Sequence, residues 1–164
     1  MDEPEGFREF VAGRTDRLMK VAFLLTGDHH LAEDLVQATL VRTWRKWRQV
    51  GTDGQVDAYV NRILVTTYLS WRRRRWWGEV PSVLYDHDVA AADDPYDRAL
   101  VADDLKRDLA ALPPRQRAVI VLRYYLDLSE SDTATILGCS IGTVKSQNHK
   151  ALARLRSLTT DVLE

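Results

Sequence analysis

Residues 129–157 read SESDTATILGCSIGTVKSQNHKALARLRS, and this stretch predicts two short helices joined by a tight turn. Ser129 with Asp132 three residues later forms a capping box, which marks the start of the first helix. Gly138 ends that helix, because glycine readily adopts the left-handed backbone conformation of a tight turn. Ser140 caps the second helix, since its hydroxyl can accept from the unpaired amides of the first turn.

The spacing of small and apolar residues across the turn predicts how the two helices cross. Ala134 is small where the helices must approach closely, Gly138 follows four residues later, and Val144 follows six residues after that. Leu137 and Val144 are expected to lie on the shared interior. This spacing is typical of a helix-turn-helix, in which two helices cross around a short turn.

The second helix of the pair has the composition of a DNA-reading helix. Residues 138–157 contain no acid, four cations and several other hydrogen-bonding side chains. Polar side chains near the N-terminus of such a helix reach base edges, and flanking cations reach phosphates. A basic solvated helix face is the alternative, but the capping box, the glycine turn and the cation excess together favour DNA. The residues predicted to contact DNA here are Ser140, Thr143, Lys145, Ser146, Gln147, His149, Lys150 and Arg154.

Helical periodicity also runs through the N-terminal half of the chain. A first helix is expected to stop at Gly27, and Asp28 suits the N-cap of a second helix that runs to about Trp47. A third helix is expected over residues 57–75. The inward-facing residues are predicted to be Phe7, Phe10, Val11, Leu18, Val21, Ala22 and Leu25 on the first helix; Leu31, Leu35, Ala38 and Val41 or Arg42 on the second; and Val60, Ile63, Leu64, Thr67 and Trp71 on the third.

The C-terminal half continues the helical pattern. Leucines at 105, 109 and 112, preceded by Leu100 or Val101, predict a helix that ends at Pro113 and Pro114. The next helix starts at the same place, because proline is tolerated in a first helical turn but not in a helix interior. No strand-like alternation persists anywhere in the sequence, so the predicted fold class is all-α.

Charge divides the 164 residues into three blocks. Residues 1–75 carry a net charge of +3, residues 76–97 carry −6 with no Lys or Arg, and residues 98–164 carry +2. The acidic stretch holds two prolines and shows no sustained apolar periodicity, so it is interpreted as a flexible linker between two small domains. An acidic loop inside one domain is the alternative, but a structureless loop of that length is uncommon in a compact domain.

Composition excludes several classes of protein. Cys139 is the one cysteine, so no intramolecular disulfide can form and a stapled secreted scaffold is excluded. The acidic N-terminus is unlike a signal peptide, and the longest apolar runs, residues 21–25 and 118–122, are far too short to cross a bilayer. These features predict a cytoplasmic protein without membrane insertion.

In the order and spacing of its motifs, the chain resembles bacterial RNA polymerase sigma factors of the extracytoplasmic-function type, and more narrowly the actinobacterial sigma-E-like group. The resemblance covers nearly the whole chain outside the linker, in the order that the family shows. The segments that carry it are TGD at 26–28 with AEDLVQ at 32–37 and Trp44, YVNRILV at 59–65 with the arginines at 72–75, LPPRQR at 112–117, LGCSIGTVKS at 137–146, and ALARLR at 151–156.

The resemblance implies two helical domains and two kinds of partner. Sigma region 2 would occupy residues 1–77, the acidic linker residues 78–97, and sigma region 4 residues 98–164. The partners implied are promoter DNA and core RNA polymerase, contacted at the clamp helices of its largest subunit and at the beta flap. Anti-sigma proteins are common in the family, but the residues here carry no diagnostic mark of one.

The resemblance also implies the function of individual residues in region 2. Core polymerase would bind Glu33, Asp34, Gln37, Leu40 and Trp44, and the minus-ten element would bind Asn61, Arg62, Arg72, Arg73, Arg74 and Arg75. Trp44 and Trp71 are expected to serve mainly in packing. The chain departs from commoner family residues at Thr66, Ser70, Gln147 and Asn148, and these positions bear on promoter preference.

Parts of the sequence are compatible with two other classes of function. A stand-alone regulator could bind an operator through the helix-turn-helix, but the arginine-tailed first domain argues against it. An enzyme could use His29 and His30 with Glu33 and Asp34 as metal ligands, although polar residues at an exposed helix start explain this cluster better. The sequence therefore predicts no enzyme, no metal site and no cofactor.

Overall fold

The computed structural model describes residues 2–51, 55–76 and 103–163, with side chains from 2–51, 55–74 and 103–159. Within these ranges the chain is helical and contains no strand, as the sequence predicts. The acidic linker and Leu100 and Val101 lie outside the described residues. In chain order the elements are α1 (Phe7–Thr26), α2 (His29–Val50), α3 (Val56–Trp76), α4 (Asp103–Ala110), α5 (Pro114–Ile120), a π-helical turn (Val121–Tyr125), α6 (Glu130–Leu137) and α7 (Ile141–Leu163).

The junction between α1 and α2 follows the predicted caps. Gly27 has a positive φ of 71°, and its amide donates to the Phe23 carbonyl at 2.8 Å. Asp28 is the N-cap of α2, where its carboxylate accepts from the Leu31 amide at 2.9 Å. Both contacts satisfy backbone groups that a helix end otherwise leaves without a partner.

The last turns of α1, residues 21–26, are buried on all sides. Phe23 and Leu24 are 1% and 6% exposed, although neither belongs to the predicted stripe. This burial arises because α1 packs against α2 and α3 and also against α4, α5 and the π-helical turn. The continuous apolar run at residues 21–25 is the sequence signal for such a helix, since a helix that is apolar all round is buried.

The inner face of α2 differs from the prediction. Arg42 is exposed as a whole, although its Nη1 donates to the hydroxyl of buried Thr67 on α3 at 3.0 Å. Val41 is 50% exposed and does not face the core. Thr39 and Thr43 are fully buried there instead. Their hydroxyls donate to the Leu35 and Thr39 carbonyls at 2.7 and 2.8 Å. These side chains can be buried because their hydrogen-bond donors have partners within the helix itself.

The prolines separate α4 from α5 as predicted, and Leu109 and Leu112 are buried. Leu105 is 47% exposed, which corrects the expectation that it faces the core. Lys106 lies against α1 instead, with its ammonium 5.4 Å from the centre of the Phe23 ring.

The two groups of helices share one apolar core. A single cluster of buried side chains contains Leu25 and Leu64 from the first group and Leu112 and Leu122 from the second. Contacts of α3 with α5 and α6, and of α1 with α4, α5 and the π-helical turn, join the groups directly. The sequence predicts two domains on a flexible linker, whereas their mutual packing is visible only in the structure.

An ion pair between a guanidinium and a carboxylate joins α1 to the start of α3. Arg14 Nε and Nη2 donate to the two carboxylate oxygens of Asp57 at 2.8 and 3.1 Å. This hydrogen bonding is the main reason that the pKa of Asp57 is lowered, and the charge of Arg17 adds to it while partial burial opposes it.

We expect Arg14→Gln to raise the pKa of the Asp57 carboxyl, measured by NMR titration. A carboxyl whose pKa is lower in the folded state stabilises the fold above its unfolded pKa, about 3.9, and that contribution is lost as pH falls through the folded pKa. The stability difference between wild type and variant should therefore be present at neutral pH and vanish in acid. Lys20→Gln removes another exposed cation of α1 and serves as the control. An unchanged Asp57 pKa in Arg14→Gln would contradict the assignment.

Candidate functional site

The helix-turn-helix forms with the predicted caps. Ser129 Oγ accepts from the Asp132 amide at 3.0 Å at the start of α6. Gly138 ends α6 with a φ of 66°. Ser140 Oγ accepts from the Thr143 amide at 3.1 Å and so caps α7, which is called the recognition helix below.

A small apolar cluster, separate from the main core, fixes the packing of α6 against the recognition helix. Val119, Ala134 and Val144 are buried together, with Leu137 and Cys139 packed against them. Val144 is 0% exposed, so the first turns of the recognition helix are anchored from within. The predicted positions of Ala134, Leu137 and Val144 are confirmed.

Most of the predicted base-reading and phosphate-binding side chains point away from this cluster. Lys145, Ser146, His149 and Lys150 are exposed, and Gln147 is half-buried. Ser140 and Thr143 are also exposed, although their hydroxyls are hydrogen-bonded to each other at 2.9 Å. The helix therefore presents polar groups near its N-terminus and cations beside them, as a DNA-reading helix requires.

Two polar side chains of the recognition helix contact the protein. Asn148 Nδ2 donates to the hydroxyl of Tyr124 at 3.1 Å, and Arg154 Nε donates to the Ala111 carbonyl at 2.8 Å. Tyr124 lies in the π-helical turn and is 54% exposed, and it belongs to none of the predicted sites. The sequence feature that indicates this contact is the position of Asn148 one helical turn after buried Val144, on the side of the helix that faces the protein.

The minus-ten candidates occupy two stretches of α3. Asn61 is half-buried and Arg62 is exposed near the start of the helix. Arg72 is half-buried, whereas Arg73 and Arg74 are exposed near its end, and the side chain of Arg75 is outside the described set. Arg72 follows Asn61 by eleven positions, which is about 16.5 Å along a helix axis. One helix thus carries both stretches at a fixed separation.

The candidate polymerase surface lies on α2. Asp34 and Gln37 are exposed, and Glu33 is half-exposed with its carboxylate 3.1 Å from His29 Nε2. Val41, 50% exposed, follows Gln37 by one turn and adds an apolar side chain, although Val41 or Arg42 was expected on the inner side of α2. The side chains of the remaining candidates are less exposed, since Leu40 packs against the core and Trp44 is half-buried.

Comparisons with known proteins identify the family. The sequence matches Sigma-70 region 2 over residues 11–78 and Sigma-70, region 4 over residues 103–155. It is 43% identical to the RNA polymerase sigma-E factor of Streptomyces avermitilis, over 92% of this chain and 83% of that protein. It is 33% identical to the ECF RNA polymerase sigma factor SigE of Mycolicibacterium smegmatis, over 90% of this chain and 59% of that protein. The chain belongs to the extracytoplasmic-function sigma factors.

A solved sigma factor has the same fold over nearly the whole chain. The sigma factor RpoE of Bartonella quintana, crystallised with the anti-sigma factor NepR, superposes with a TM-score of 0.73 at 31% identity, covering 96% of this chain and 98% of that chain. The expectations of an all-α sigma fold, of a sigma-E-like factor and of promoter-specific initiation are confirmed. The boundaries 1–77, 78–97 and 98–164 and the individual site residues stay predictions.

Surfaces of region 2 and region 4 line one cleft of this sigma factor. The cleft has a volume of about 1110 Å³. Region 2 contributes Arg72 and Arg73, and region 4 contributes Gln147 and Lys150. Arg115 adds a further cation, and we call this feature the cation cleft. Residues predicted for the minus-ten and minus-thirty-five elements are therefore neighbours.

Two other properties of the described residues bear on function. No group of three or more His, Cys, Asp or Glu side chains among them is placed to hold a metal ion. In the same ranges, no helix is both long enough and apolar enough to cross a membrane.

Proposed function

We propose that this sigma factor reads the minus-thirty-five element with the exposed N-terminal turns of the recognition helix. The observation that carries the proposal is the division of that helix into two sides. Val144 is fully buried, whereas Lys145, Ser146, His149 and Lys150 are exposed around it. The buried side fixes the orientation, and the exposed side is free to enter a major groove.

The proposed minus-ten site is the α3 helix of region 2. Asn61 and Arg62 lie near the loop that precedes α3, where the family resemblance implies capture of an unstacked base. Arg72, Arg73, Arg74 and Arg75 follow on the same helix and would hold the single strand through its phosphates. Opening DNA needs both a place for an extruded base and cations along the strand.

Core polymerase is proposed to bind the exposed face of α2 through Glu33, Asp34 and Gln37. Val41 lies on the same face and supplies apolar contact area, with Leu40 and Trp44 at its margin. Polar groups around an apolar centre suit a protein interface, because the rim gives specificity while the centre excludes water. We assign this face to the clamp helices of the largest subunit, and region 4 to the beta flap.

The remaining partners and the location follow from this function. The factor would act in the cytoplasm, where core polymerase and promoter DNA are found, and would direct the polymerase without catalysing a reaction itself. An anti-sigma protein is a further proposed partner, supported by the similarity to RpoE, which was crystallised with NepR.

Binding at two elements would be coupled through the polymerase. Each domain alone would hold DNA weakly and with strong dependence on salt, because phosphate contacts release counterions. Once core polymerase fixes the domains at promoter spacing, binding of one element raises the effective concentration of the other domain at its own element.

Run-off transcription on a genomic fragment library with core RNA polymerase tests the function. We expect discrete transcripts that depend on the protein and share two upstream motifs. Asp34→Arg should reduce co-purification with core enzyme about tenfold or more, because it places a cation on a predicted acidic contact. Asp16→Arg makes the same charge change at an exposed position of α1 and is the control.

Failure to bind core enzyme would overturn the assignment of the α2 surface. Tight dimeric binding to a palindromic duplex without polymerase would instead support a stand-alone regulator.

A further inference from the structure

A tyrosine of region 4 contacts the side of the recognition helix. Tyr124 lies in the π-helical turn that precedes α6, and its hydroxyl accepts from Asn148 Nδ2 at 3.1 Å. The residue is nevertheless open to solvent, since it is 54% exposed. In the sequence, Asn148 lies between Gln147 and His149, which are both predicted DNA contacts. An exposed hydroxyl is therefore fixed beside the part of the helix that is proposed to enter DNA.

Backbone hydrogen bonds hold this tyrosine in place from its own side. The π-helical turn is closed by a hydrogen bond from the Leu126 amide to the Val121 carbonyl at 3.0 Å. The Leu128 amide donates to the Leu122 carbonyl at 3.0 Å, and Arg123 Nη1 donates to the Leu128 carbonyl. Turns of this kind are frequent at functional sites. Because the segment is already ordered, little conformational entropy is lost when the hydroxyl binds a ligand.

The direction of the side-chain hydrogen bond leaves the tyrosine proton available. Asn148 Nδ2 is the donor, so the Tyr124 hydroxyl oxygen is the acceptor and its O–H can donate to another group. Asn148 Oδ1 is buried and has no hydrogen-bond partner among the described residues. The opposite orientation of the amide would place two N–H donors at that buried position, which costs more than one unpaired oxygen. Tyr124 therefore has a donor for a further partner on its exposed side.

The charges around this hydroxyl suit an anion. The Arg123 guanidinium lies 5.9 Å from the centre of the Tyr124 ring. Lys145 is exposed and precedes Asn148 by three positions, so the two residues are neighbours on one face of the recognition helix. Residues 138–157 contain no acid. A phosphate group near the hydroxyl would be attracted by both cations.

We propose that Tyr124 donates to a phosphate of the DNA strand that borders the recognition helix, with Asn148 as its positioning residue. The inference rests on the proposed assignment of this helix to the minus-thirty-five element. A helix about 10–12 Å across fills a major groove about 12 Å wide, so the two sugar-phosphate strands run along the sides of the helix. A side chain that touches the flank of the helix is then within reach of one strand. Tyrosine is among the residues that bind phosphates and so fix the register of a protein on the duplex.

Binding of a labelled random-sequence duplex by the full-length protein, followed by fluorescence anisotropy at a fixed salt concentration, tests the contact. Tyr124→Phe keeps the ring and removes the O–H, and we expect about fivefold weaker binding, because a phosphate contact is made on any sequence. Tyr125→Phe is the matched control, since it makes the same change at the next residue, which is 42% exposed. The control should change the affinity by less than about twofold. Equal affinities of the two variants would overturn the inference.

A double-mutant cycle tests the positioning role of Asn148. Asn148→Leu removes the amide and leaves the tyrosine hydroxyl free to rotate, so binding should weaken about twofold to threefold when Tyr124 is present. In the Tyr124→Phe background the same substitution should have almost no effect, because no hydroxyl remains to be oriented. A role of Asn148 in packing alone would weaken binding equally in both backgrounds, and that result would contradict the pairing. Thermal unfolding by circular dichroism checks that all the variants are folded.

Transcription distinguishes a phosphate contact from base recognition. With core polymerase and a promoter found in the run-off assay, Tyr124→Phe should reduce initiation by a similar factor at every variant of the minus-thirty-five sequence. The order of the variants should not change, since a phosphate contact carries no sequence information. A changed order would mean that the hydroxyl reads a base, against the proposal. Anisotropy needs neither polymerase nor promoter, so failure of the sigma assignment would be seen separately in the run-off assay.

Discussion

Val144→Asp is expected to abolish transcription from every promoter that this sigma factor serves. Val144 is 0% exposed and sits in the small cluster that joins α6 to the recognition helix. A carboxylate at this position would be buried among apolar side chains, at a cost of about 3–5 kcal/mol. That cost is a large fraction of the stability of a small domain, so the recognition helix would lose its fixed orientation.

The same variant should still bind core enzyme through α2, because the α2 surface lies outside the helix-turn-helix. Run-off transcription, co-purification with core polymerase and thermal unfolding by circular dichroism together measure this separation. Ala153→Asp introduces the same charge at an exposed position of the same helix and should keep most of the stability. Normal transcription by Val144→Asp would contradict the assignment of this helix to DNA recognition.

Arg117→Met is expected to lower the free energy of unfolding by about 2–4 kcal/mol. The substitution keeps a long apolar side chain but removes the donors that bind the Leu25, Ala110 and Leu112 carbonyls. Hydrogen bonds from charged groups contribute about 1.5–3 kcal/mol each, and carbonyls left without a partner add to the loss. Removing a buried charge offsets part of this cost, which keeps the expected value below the full sum.

Urea unfolding measures the effect, and Arg115→Met is the matched control. Arg115 is an exposed arginine two residues earlier on the same helix, so its replacement should change stability by about 0.5 kcal/mol or less. Equal stability of Arg117→Met and Arg115→Met would show that the three carbonyls do not depend on Arg117.

Local sequence signals predicted the helix ends accurately. Gly27 and Gly138 take up positive φ values, and Asp28, Ser129 and Ser140 each accept from an amide three residues later. These signals are reliable because cap and turn interactions join residues within one helical turn, so all the interacting groups lie in one short stretch of sequence.

Burial was predicted less well where buried polar side chains form hydrogen bonds within their own helix. Apolar periodicity placed Val41 inside α2, but buried Thr39 and Thr43 occupy that side, and Val41 lies on the proposed polymerase surface. A threonine hydroxyl bound to the carbonyl four residues earlier costs little to bury, and a pattern of apolar residues does not register it. Asn148 was likewise predicted as a departure that affects DNA preference, and its contact with Tyr124 depends on residues 24 positions apart.

The amino-acid sequence was sufficient for the helices and the helix-turn-helix, because these depend on periodicity and on contacts within a few residues. The family and the function were predicted from the resemblance of the sequence motifs to those of sigma factors. The sequence did not reveal that region 4 packs on region 2. The hydrogen bond from Arg117 to Leu25 joins residues 92 positions apart, and the burial of Ile136 depends on helices from the other half of the chain. Such contacts become favourable only after both helix groups have formed surfaces that fit together, so they appear only in the folded chain.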